Sequence, residues 1–238
     1  AMSFESYCEE LHRICALKKF DLKEAGLDAY AQYPLYRITV NPSAKHTICL
    51  TAGIHGNETS GPLGILKFLQ NYQAPRTQAK LIIFPLLNPY GFTKNKREDR
   101  GNLNLNRHYF EKPQPKAVKT ICDLIKQARP DFSLSLHEDD ELSCFYIYQY
   151  GTNNESSSSI MDFIGRRAKV CRDAKIYDHK AVNGIIKNPA FDGTLDEWLH
   201  ARNMSDAACL EIPDSIPLKK RVDLIAQILE FIAQKKTA

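Results

Sequence analysis

The sequence predicts an α/β protein with three layers (α/β/α), in which helices cover both faces of a mixed, largely parallel central sheet. Apolar, β-branched runs at 47–52, 80–87 and 131–136 are typical of buried strands. Segments with helical spacing of apolar residues alternate with these runs, which is the pattern of a sheet flanked by helices. No repeat or linker interrupts the alternation, so residues 1–238 are expected to form a single domain.

The N-terminal half is expected to begin with a helix. Apolar residues at helical spacing predict this helix from Phe4 to Lys19. The elements expected after it are, in order, a short strand at 35–40, the strand at 47–52, a helix at 61–72, the strand at 80–87 and a polar loop at 93–107. Pro62 suits the first turn of the second helix, because the N–H that proline lacks would have no partner there.

The C-terminal half continues the alternation of helices and strands. The elements expected there are a helix at 115–129, the strand at 131–136, an aromatic-rich strand at 145–150, helices at 158–173 and 194–202, a short strand at 207–212 and an amphipathic helix at 218–234. Functional residues of such sheets gather at the carboxyl ends of the strands. The residues that end or follow these strands are therefore the candidates for a functional site.

Composition argues against several classes of protein. The net charge is +4, with 32 basic and 28 acidic residues interspersed, so nothing indicates a partner nucleic acid or a membrane surface. The seven Cys are an odd number without a C-x-x-C pair, which favours reduced thiols. No apolar run approaches the length of about 18 residues that a membrane span needs, and the N-terminus lacks a signal-peptide pattern. We therefore expect a soluble, cytoplasmic protein.

Four polar residues are expected at one edge of the sheet. His55 and Glu58 lie three residues apart in the loop after the first buried strand, and His137 and Glu211 each end a later strand. Imidazole and carboxylate together suit Zn²⁺, and a site with two His and one Glu leaves the fourth position for water. The remaining His residues, at positions 12, 46, 108, 179 and 200, lack metal-ligand spacing and are expected to be structural or surface residues.

Five short motifs strengthen this interpretation. They are Gly53-Ile-His-Gly-Asn-Glu58, Asn88-Pro-Tyr-Gly91, Asn104-Leu-Asn-Arg107, Leu136-His137 and Leu210-Glu-Ile-Pro213. In this order they resemble the zinc carboxypeptidase superfamily, the carboxypeptidase A-like group that includes succinylglutamate desuccinylase, aspartoacylase and murein peptide amidases. The resemblance implies a mixed sheet flanked by helices, in agreement with the elements above.

The resemblance also implies a catalytic site with one Zn²⁺ per chain. His55, Glu58 and His137 match the zinc ligands of the superfamily. Glu211 matches its general base, which takes a proton from the attacking water and later delivers it to the leaving nitrogen. Without the resemblance, Glu211 would be interpreted as an ion-paired carboxylate at the end of a strand.

Amide and basic residues in the polar loop at 93–107 match substrate-binding positions of the superfamily. Asn106 and Arg107 match the pair that grips the terminal carboxylate of a substrate, a task that suits the planar fork of a guanidinium. An upstream Arg of the superfamily polarises the scissile carbonyl. Arg97, nine residues before Asn106, has the expected spacing. Arg100 is the competing candidate for this contact with the substrate, because the intervening Gly is displaced by one position.

The sequence departs from the superfamily at the residue that orients the first zinc-binding His. It also does not determine which substrate side chain the pocket prefers. Asn104 stands where an Asp commonly orients the first zinc-binding His, and an amide stabilises positive charge less well than a carboxylate. The Tyr that closes over the substrate in digestive carboxypeptidases has no match by motif. Asp192 and Asp196 lie in the segment that shapes the side-chain pocket in relatives. With the acidic run at 138–141, they suggest a substrate with a Lys, Arg or diaminopimelate-like group.

These features lead to one expected function and two alternatives. The expected function is that of a zinc-dependent metallocarboxypeptidase, which cleaves the amide bond next to a terminal carboxylate in small or peptidoglycan-derived peptides. The first alternative is an N-acyl amino acid deacylase of the succinylglutamate desuccinylase or aspartoacylase type. The second is a non-catalytic binding protein that keeps the fold.

Overall fold

A ten-stranded sheet runs through the molecule in the computed structural model, which describes residues 2–73, 78–152, 154–189 and 191–234. The strands are β1 (Asp21–Leu27), β2 (Pro34–Val40), β3 (Thr47–Ala52), β4 (Lys80–Phe84), β5 (Phe132–Asp139), β6 (Tyr146–Tyr150), β7 (Lys175–Ile176), β8 (His179–Val182), β9 (Ile185–Lys187) and β10 (Asp206–Pro213). Their order across the sheet is β1-β2-β4-β3-β5-β10-β6-β9-β8-β7.

The centre of the sheet is parallel and its edges are antiparallel. Parallel pairings join β4 to β3, β3 to β5, β5 to β10 and β6 to β9. The remaining neighbours, β1 with β2, β2 with β4, β10 with β6, β9 with β8 and β8 with β7, are antiparallel. The predicted mixed sheet is confirmed, but the expectation that it is largely parallel is wrong: only four of the nine pairings are parallel, because β1, β7 and β8, which the sequence did not predict, all pair antiparallel. The parallel pairings form the central block of β4, β3, β5 and β10 and the separate pair of β6 with β9.

Helices cover both faces of this sheet. They are α1 (Phe4–Lys18), α2 (Ser60–Asn71), α3 (Pro89–Lys94), α4 (Lys116–Lys126), α5 (Asn154–Gly165), α6 (Leu195–Ala201) and α7 (Leu218–Gln234). On one face, buried residues of α1, α2, α5 and α7 form one apolar core with the strands. On the other face, α4 and α6 pack in a second core. Within β3, Ile48 and Leu50 belong to the first core and Cys49 to the second, as alternation along a strand requires. The three-layer prediction is therefore confirmed.

Five elements were not predicted, for identifiable reasons. β1 was not predicted, because it is an edge strand with few buried residues and so lacks a periodic apolar signal. α3 was not predicted: it begins at Pro89, between the expected strand at 80–87 and the expected polar loop at 93–107, where the Asn88 side chain accepts a hydrogen bond from Gly91 N–H and caps the helix. The hairpin strands β7, β8 and β9 are two to four residues long, too short to give a pattern.

The expected reduced state of all thiols is wrong for two cysteines. Cys144 and Cys171 form a disulfide that joins the segment before β6 to the segment before β7. Cys8, Cys15, Cys49, Cys122 and Cys209 are free. The expectation of a cytoplasmic protein rested partly on reduced thiols and loses that support. None of the helices in the described part of the chain is both long and apolar enough to cross a lipid bilayer.

Candidate active site

Three adjacent strands bring the predicted site residues together. His55 and Glu58 lie in the loop between β3 and α2, and His137 lies in β5, the parallel neighbour of β3. Glu211 lies in β10 directly opposite His137 in the parallel register. The sequence placed His137 and Glu211 at the ends of their strands, whereas each strand continues for two more residues. The four side chains nevertheless line one cavity of about 320 Å³.

The loop that carries His55 and Glu58 depends on two glycines and one amide. Gly53 has a φ of +62°, a conformation that favours glycine, and it turns the chain out of β3. A Cβ on Gly56 would lie 2.0 Å from the Gly91 carbonyl carbon, so only glycine fits against α3. Asn88 Nδ2 donates to the carbonyl oxygens of Ile54 (3.4 Å) and Arg97 (3.2 Å). The Asn-Pro-Tyr-Gly motif therefore fixes two loops of the site to each other.

His55, Glu58 and His137 form a buried cluster whose donor atoms face one another. Glu58 Oε1 lies 2.6 Å from His55 Nδ1, and Glu58 Oε2 lies 3.0 Å from His137 Nδ1. One ligand atom from each of the three residues lies within 4.8 Å of the others. Two imidazoles and one carboxylate are the donor set that catalytic zinc sites use. The residues present therefore fit a zinc ion.

Asn104 supports the first histidine. Its Oδ1 lies 3.0 Å from His55 Nε2 and also accepts a hydrogen bond from Asn106 N–H at 2.9 Å. With His55 Nε2 held by this oxygen, Nδ1 faces Glu58 and is the nitrogen left for a metal. The amide thus occupies the position of the Asp that the superfamily commonly has, as the sequence suggested, without its negative charge.

The charges of the cluster balance one another. Burial disfavours the ionised form of Glu58, but the two adjacent imidazoles outweigh it and hold the pKa of this carboxyl well below its usual range. Burial lowers the pKa of His55. It acts in the same direction on His137, but the Glu58 carboxylate raises the pKa of His137 to about 9. Burial raises the pKa of Glu211 to about 7, the range in which a carboxylate is an effective general base near neutral pH.

The structure distinguishes the two candidate arginines. Arg97 lines the cavity, and its Nη1 donates to Glu58 Oε1 at 2.9 Å. Arg100 lies away from the cavity, because its guanidinium donates to Gln32 Oε1 at 3.2 Å and stacks over the Tyr30 ring at 5.8 Å. The prediction that Arg100 contacts the substrate is therefore not supported by its position, and Arg97 is the arginine beside the candidate metal site.

Arg107 lines the cavity and is paired there with an acidic residue. Arg107 Nη2 lies 3.0 Å from Asp192 Oδ2, and Nη1 donates to the carbonyl oxygen of Asn106 at 2.8 Å. Asp192, which the sequence suggested as a partner for a basic substrate, instead faces this guanidinium. The Asn106 side chain is buried; its Oδ1 accepts from Leu195 N–H at 3.1 Å, and its Nδ2 lies 3.4 Å from His137 Nε2. Arg107 is therefore the more accessible member of the pair.

Asp196 is a buried carboxylate with one oxygen unpaired. It lies in the first turn of α6, is 1% exposed and lines the cavity. The Ser135 hydroxyl donates to its Oδ2 at 2.7 Å, while its Oδ1 has no hydrogen-bond partner among the described residues. Burial raises the pKa of Asp196 to about 6. This carboxylate can therefore pair with a cation that enters the cavity.

One wall of the cavity was not expected from the sequence. Tyr148, His179 and Phe191 line it, and the Tyr148 and His179 rings meet edge to face at 6.1 Å. His179 was expected to be a structural or surface residue, because the spacing of His residues carries no signal for a position in a hairpin strand. An aromatic side chain in an exposed loop, such as Phe191, likewise has no signal until the loop is placed beside the cavity.

The fold and the His–Glu–His cluster together define a member of the zinc carboxypeptidase superfamily. Within it, the chain belongs to the succinylglutamate desuccinylase/aspartoacylase catalytic-domain family, whose model matches residues 44–170. This match contains the three candidate metal ligands and both candidate arginines, and it ends before Asp196 and Glu211. No significant match is found among curated proteins.

Several solved structures share the fold. A provisionally assigned metallopeptidase from Shewanella amazonensis SB2B has a TM-score of 0.84 and 23% identity, over 98% of this chain and 95% of that one. A metallo-carboxypeptidase from Pseudomonas aeruginosa, in complex with (2-guanidinoethylmercapto)succinic acid, has a TM-score of 0.73 and 17% identity over 96% and 68%. Murein-tripeptide amidase MpaA from Escherichia coli O157 has a TM-score of 0.68 and 14% identity over 91% and 93%. Because all three identities are low, these similarities establish the fold and not the activity.

Proposed function

We propose that the chain is a single catalytic domain that hydrolyses an amide bond next to a terminal carboxylate in small or peptidoglycan-derived peptides, with one zinc ion. The observation that carries this proposal is the position of Glu211, which shares one cavity with the His55–Glu58–His137 cluster and with two arginines. A zinc ion held by the cluster would supply Lewis acidity and a more acidic water.

The chain's own residues account for the remaining steps. Glu211, opposite His137 across the strand pair, takes a proton from the attacking water and delivers it to the leaving nitrogen. Arg97 offers a guanidinium to the carbonyl oxygen as negative charge develops there, an interaction that strengthens in the transition state. Arg107 holds the terminal carboxylate and so aligns the scissile bond.

The cavity favours a substrate with a basic group next to its carboxylate. The unpaired Asp196 Oδ1 is shielded from solvent, and a Lys, Arg or diaminopimelate-like side chain would supply the missing partner. The Pseudomonas aeruginosa metallo-carboxypeptidase is solved with a compound that combines a guanidino group with succinic acid. We propose that this compound also binds here, with a carboxylate on Arg107 and its guanidino group on Asp196.

A second candidate function is deacylation of an N-acyl amino acid. The match to the succinylglutamate desuccinylase/aspartoacylase family favours it, because both names denote enzymes that remove an acyl group from an amino acid. The chemistry of Glu211, Arg97 and Arg107 would be the same. The two candidates differ in whether the group on the acyl side of the scissile bond is a peptide or a simple acid.

The test combines metal content with substrate comparison. Wild type and His55→Ala, purified without a histidine tag, are analysed for zinc. Wild type is then assayed on acetyl-alanyl-lysine, acetyl-alanyl-leucine, N-acetyl-lysine and N-succinyl-glutamate. We expect about one zinc per chain in wild type, none in His55→Ala, and fastest cleavage of acetyl-alanyl-lysine. Preference for N-succinyl-glutamate would support the deacylase, and bound zinc without turnover of any substrate would support the binding protein. Wild type that takes up no zinc contradicts the proposal.

A further inference from the structure

We propose that Asp192 selects ligands by competing with their terminal carboxylate for Arg107. This inference rests on the proposed function, in which Arg107 is the carboxylate anchor. It replaces the role that the sequence suggested for Asp192, that of a partner for a basic substrate group. In the structure the Asp192 carboxylate occupies the guanidinium itself, with Oδ2 3.0 Å from Arg107 Nη2.

The atom that Asp192 holds is the one that a substrate carboxylate needs. A guanidinium grips a carboxylate through a pair of parallel N–H groups, and both edges that offer such a pair include Nη2. Arg107 Nη1 is already directed at the carbonyl oxygen of Asn106, at 2.8 Å. Nη2 carries two N–H groups, and a two-pronged contact between Arg107 and a substrate needs one of them; Asp192 Oδ2, 3.0 Å from Nη2, lies close enough to compete for it.

The backbone keeps Asp192 beside Arg107 even when its side chain moves. Glu197 Oε2 accepts hydrogen bonds from Asp192 N–H at 3.0 Å and from Gly193 N–H at 2.8 Å. Glu197 lies in the first turn of α6, where its N–H is capped by the Thr194 hydroxyl. The loop is thus fixed to the helix, so only the side chain of Asp192 can swing away, and the carboxylate remains close to the anchor.

The solvent exposure of Arg107 and Asp192 determines how strongly Asp192 competes with a ligand carboxylate for Arg107. The side chains of Arg107 and Asp192 are 36% and 56% exposed, so solvent screens their attraction and the pair is weak. A ligand that makes a two-pronged carboxylate contact and further contacts in the cavity displaces Asp192. A ligand whose carboxylate is its only contact gains little from the exchange. Asp192 therefore raises the number of contacts that a carboxylate ligand must make before it binds.

The test measures the affinity of zinc-loaded protein for (2-guanidinoethylmercapto)succinic acid by calorimetry. The variants are Asp192→Asn, Arg107→Gln and the combination of both. Glu111→Gln is the matched control, because Glu111 is similarly exposed (54%), lies four residues from Arg107 and pairs with His108 instead. We expect Asp192→Asn to tighten binding about two- to fivefold, the effect of one exposed ion pair. In the Arg107→Gln background the same change should have no effect, and Glu111→Gln should bind like wild type.

The outcomes separate this inference from the proposed function. If Asp192→Asn binds as wild type does, more weakly or not detectably, Asp192 does not compete and the inference is wrong. An equal gain in Glu111→Gln or in the Arg107→Gln background also overturns it, because the effect is then one of net charge. If Arg107→Gln alone binds as tightly as wild type, Arg107 is not the carboxylate anchor, and that part of the proposed function fails.

Discussion

The buried carboxylate of Asp196 destabilises the folded protein when it is ionised, and this cost appears as a pH dependence of the free energy of unfolding. Burial raises its pKa from the ordinary value of 3.8 to about 6, so the folded state holds the proton more tightly than the unfolded chain. For a carboxyl with a raised pKa, stability is highest below the unfolded pKa and falls as pH rises from about 4 to about 6. Above pH 6 the loss levels off at about 3 kcal/mol, since one pKa unit corresponds to about 1.4 kcal/mol.

Replacement of Asp196 by Asn removes this ionisation and keeps the shape of the side chain. Its carbonyl oxygen can still accept from Ser135, while its amide N–H lacks an acceptor, which costs about 1–3 kcal/mol at any pH. The difference in unfolding free energy between variant and wild type should therefore shift in favour of the variant by about 2–3 kcal/mol between pH 4 and pH 7.5. The net effect at pH 7.5 is a gain of about 1 kcal/mol.

The assay is urea unfolding of chelator-treated wild type, Asp196→Asn and Asp192→Asn at both pH values. Asp192 is an exposed carboxylate in the neighbouring loop, so its variant should show no comparable pH effect. If the Asp196→Asn difference is the same at pH 4 and at pH 7.5, the carboxylate is not ionised at a cost in the folded protein, and the reasoning is refuted. The same variant should lose its preference for acetyl-alanyl-lysine over acetyl-alanyl-leucine, because the stabilised site no longer presents a charge.

Three further predictions concern the metal site and the reaction. Glu211→Gln should keep about one zinc per chain by elemental analysis and lose about 10²–10⁴-fold in kcat; an unchanged kcat would exclude Glu211 as the general base. Arg97→Gln should lower kcat about 10²–10³-fold, whereas Arg100→Gln, which alters a contact outside the cavity, should match wild type in steady-state kinetics. Asn104→Asp should tighten zinc binding about tenfold in a chelator competition, because a carboxylate supports the imidazole of His55 better than an amide; equal affinity would contradict that role.

The alternation of buried strands and helices was enough to predict the fold class, because buried elements carry a periodic signal. β3 was predicted with the bounds that the structure gives, since each of its residues is buried and apolar or β-branched. β1 and the hairpin of β7, β8 and β9 escaped for the opposite reason: these segments are exposed or very short. The hairpin nevertheless supplies His179 to the cavity wall, so the part of the fold with the weakest signal shapes the ligand site.

The sequence could predict that the candidate metal ligands and Glu211 lie close together, because their positions follow from strands with a clear apolar pattern. β3, β5 and β10 are adjacent, and residues at the same ends of parallel neighbours meet. Arg97 and Arg100 could not be distinguished in this way, because they lie in a loop where no period relates spacing to direction. The hydrogen bonds from Asn88 to Ile54 and Arg97 hold that loop in place. These contacts join separate segments of the chain, so a short sequence motif does not predict them.

Charge and sequence spacing do not predict the different environments of Asp192 and Asp196. Asp192 and Asp196 are four residues apart and of the same type, so nothing in their sequence context distinguishes them. In the structure Asp192 is exposed and paired with Arg107, whereas Asp196 is buried with one oxygen unpaired. The difference arises because α6 begins at Leu195 and turns Asp196 inward, while Glu197 holds the preceding loop outward. One carboxylate therefore offers a cation site and the other competes for an anion site, and only the folded chain distinguishes them.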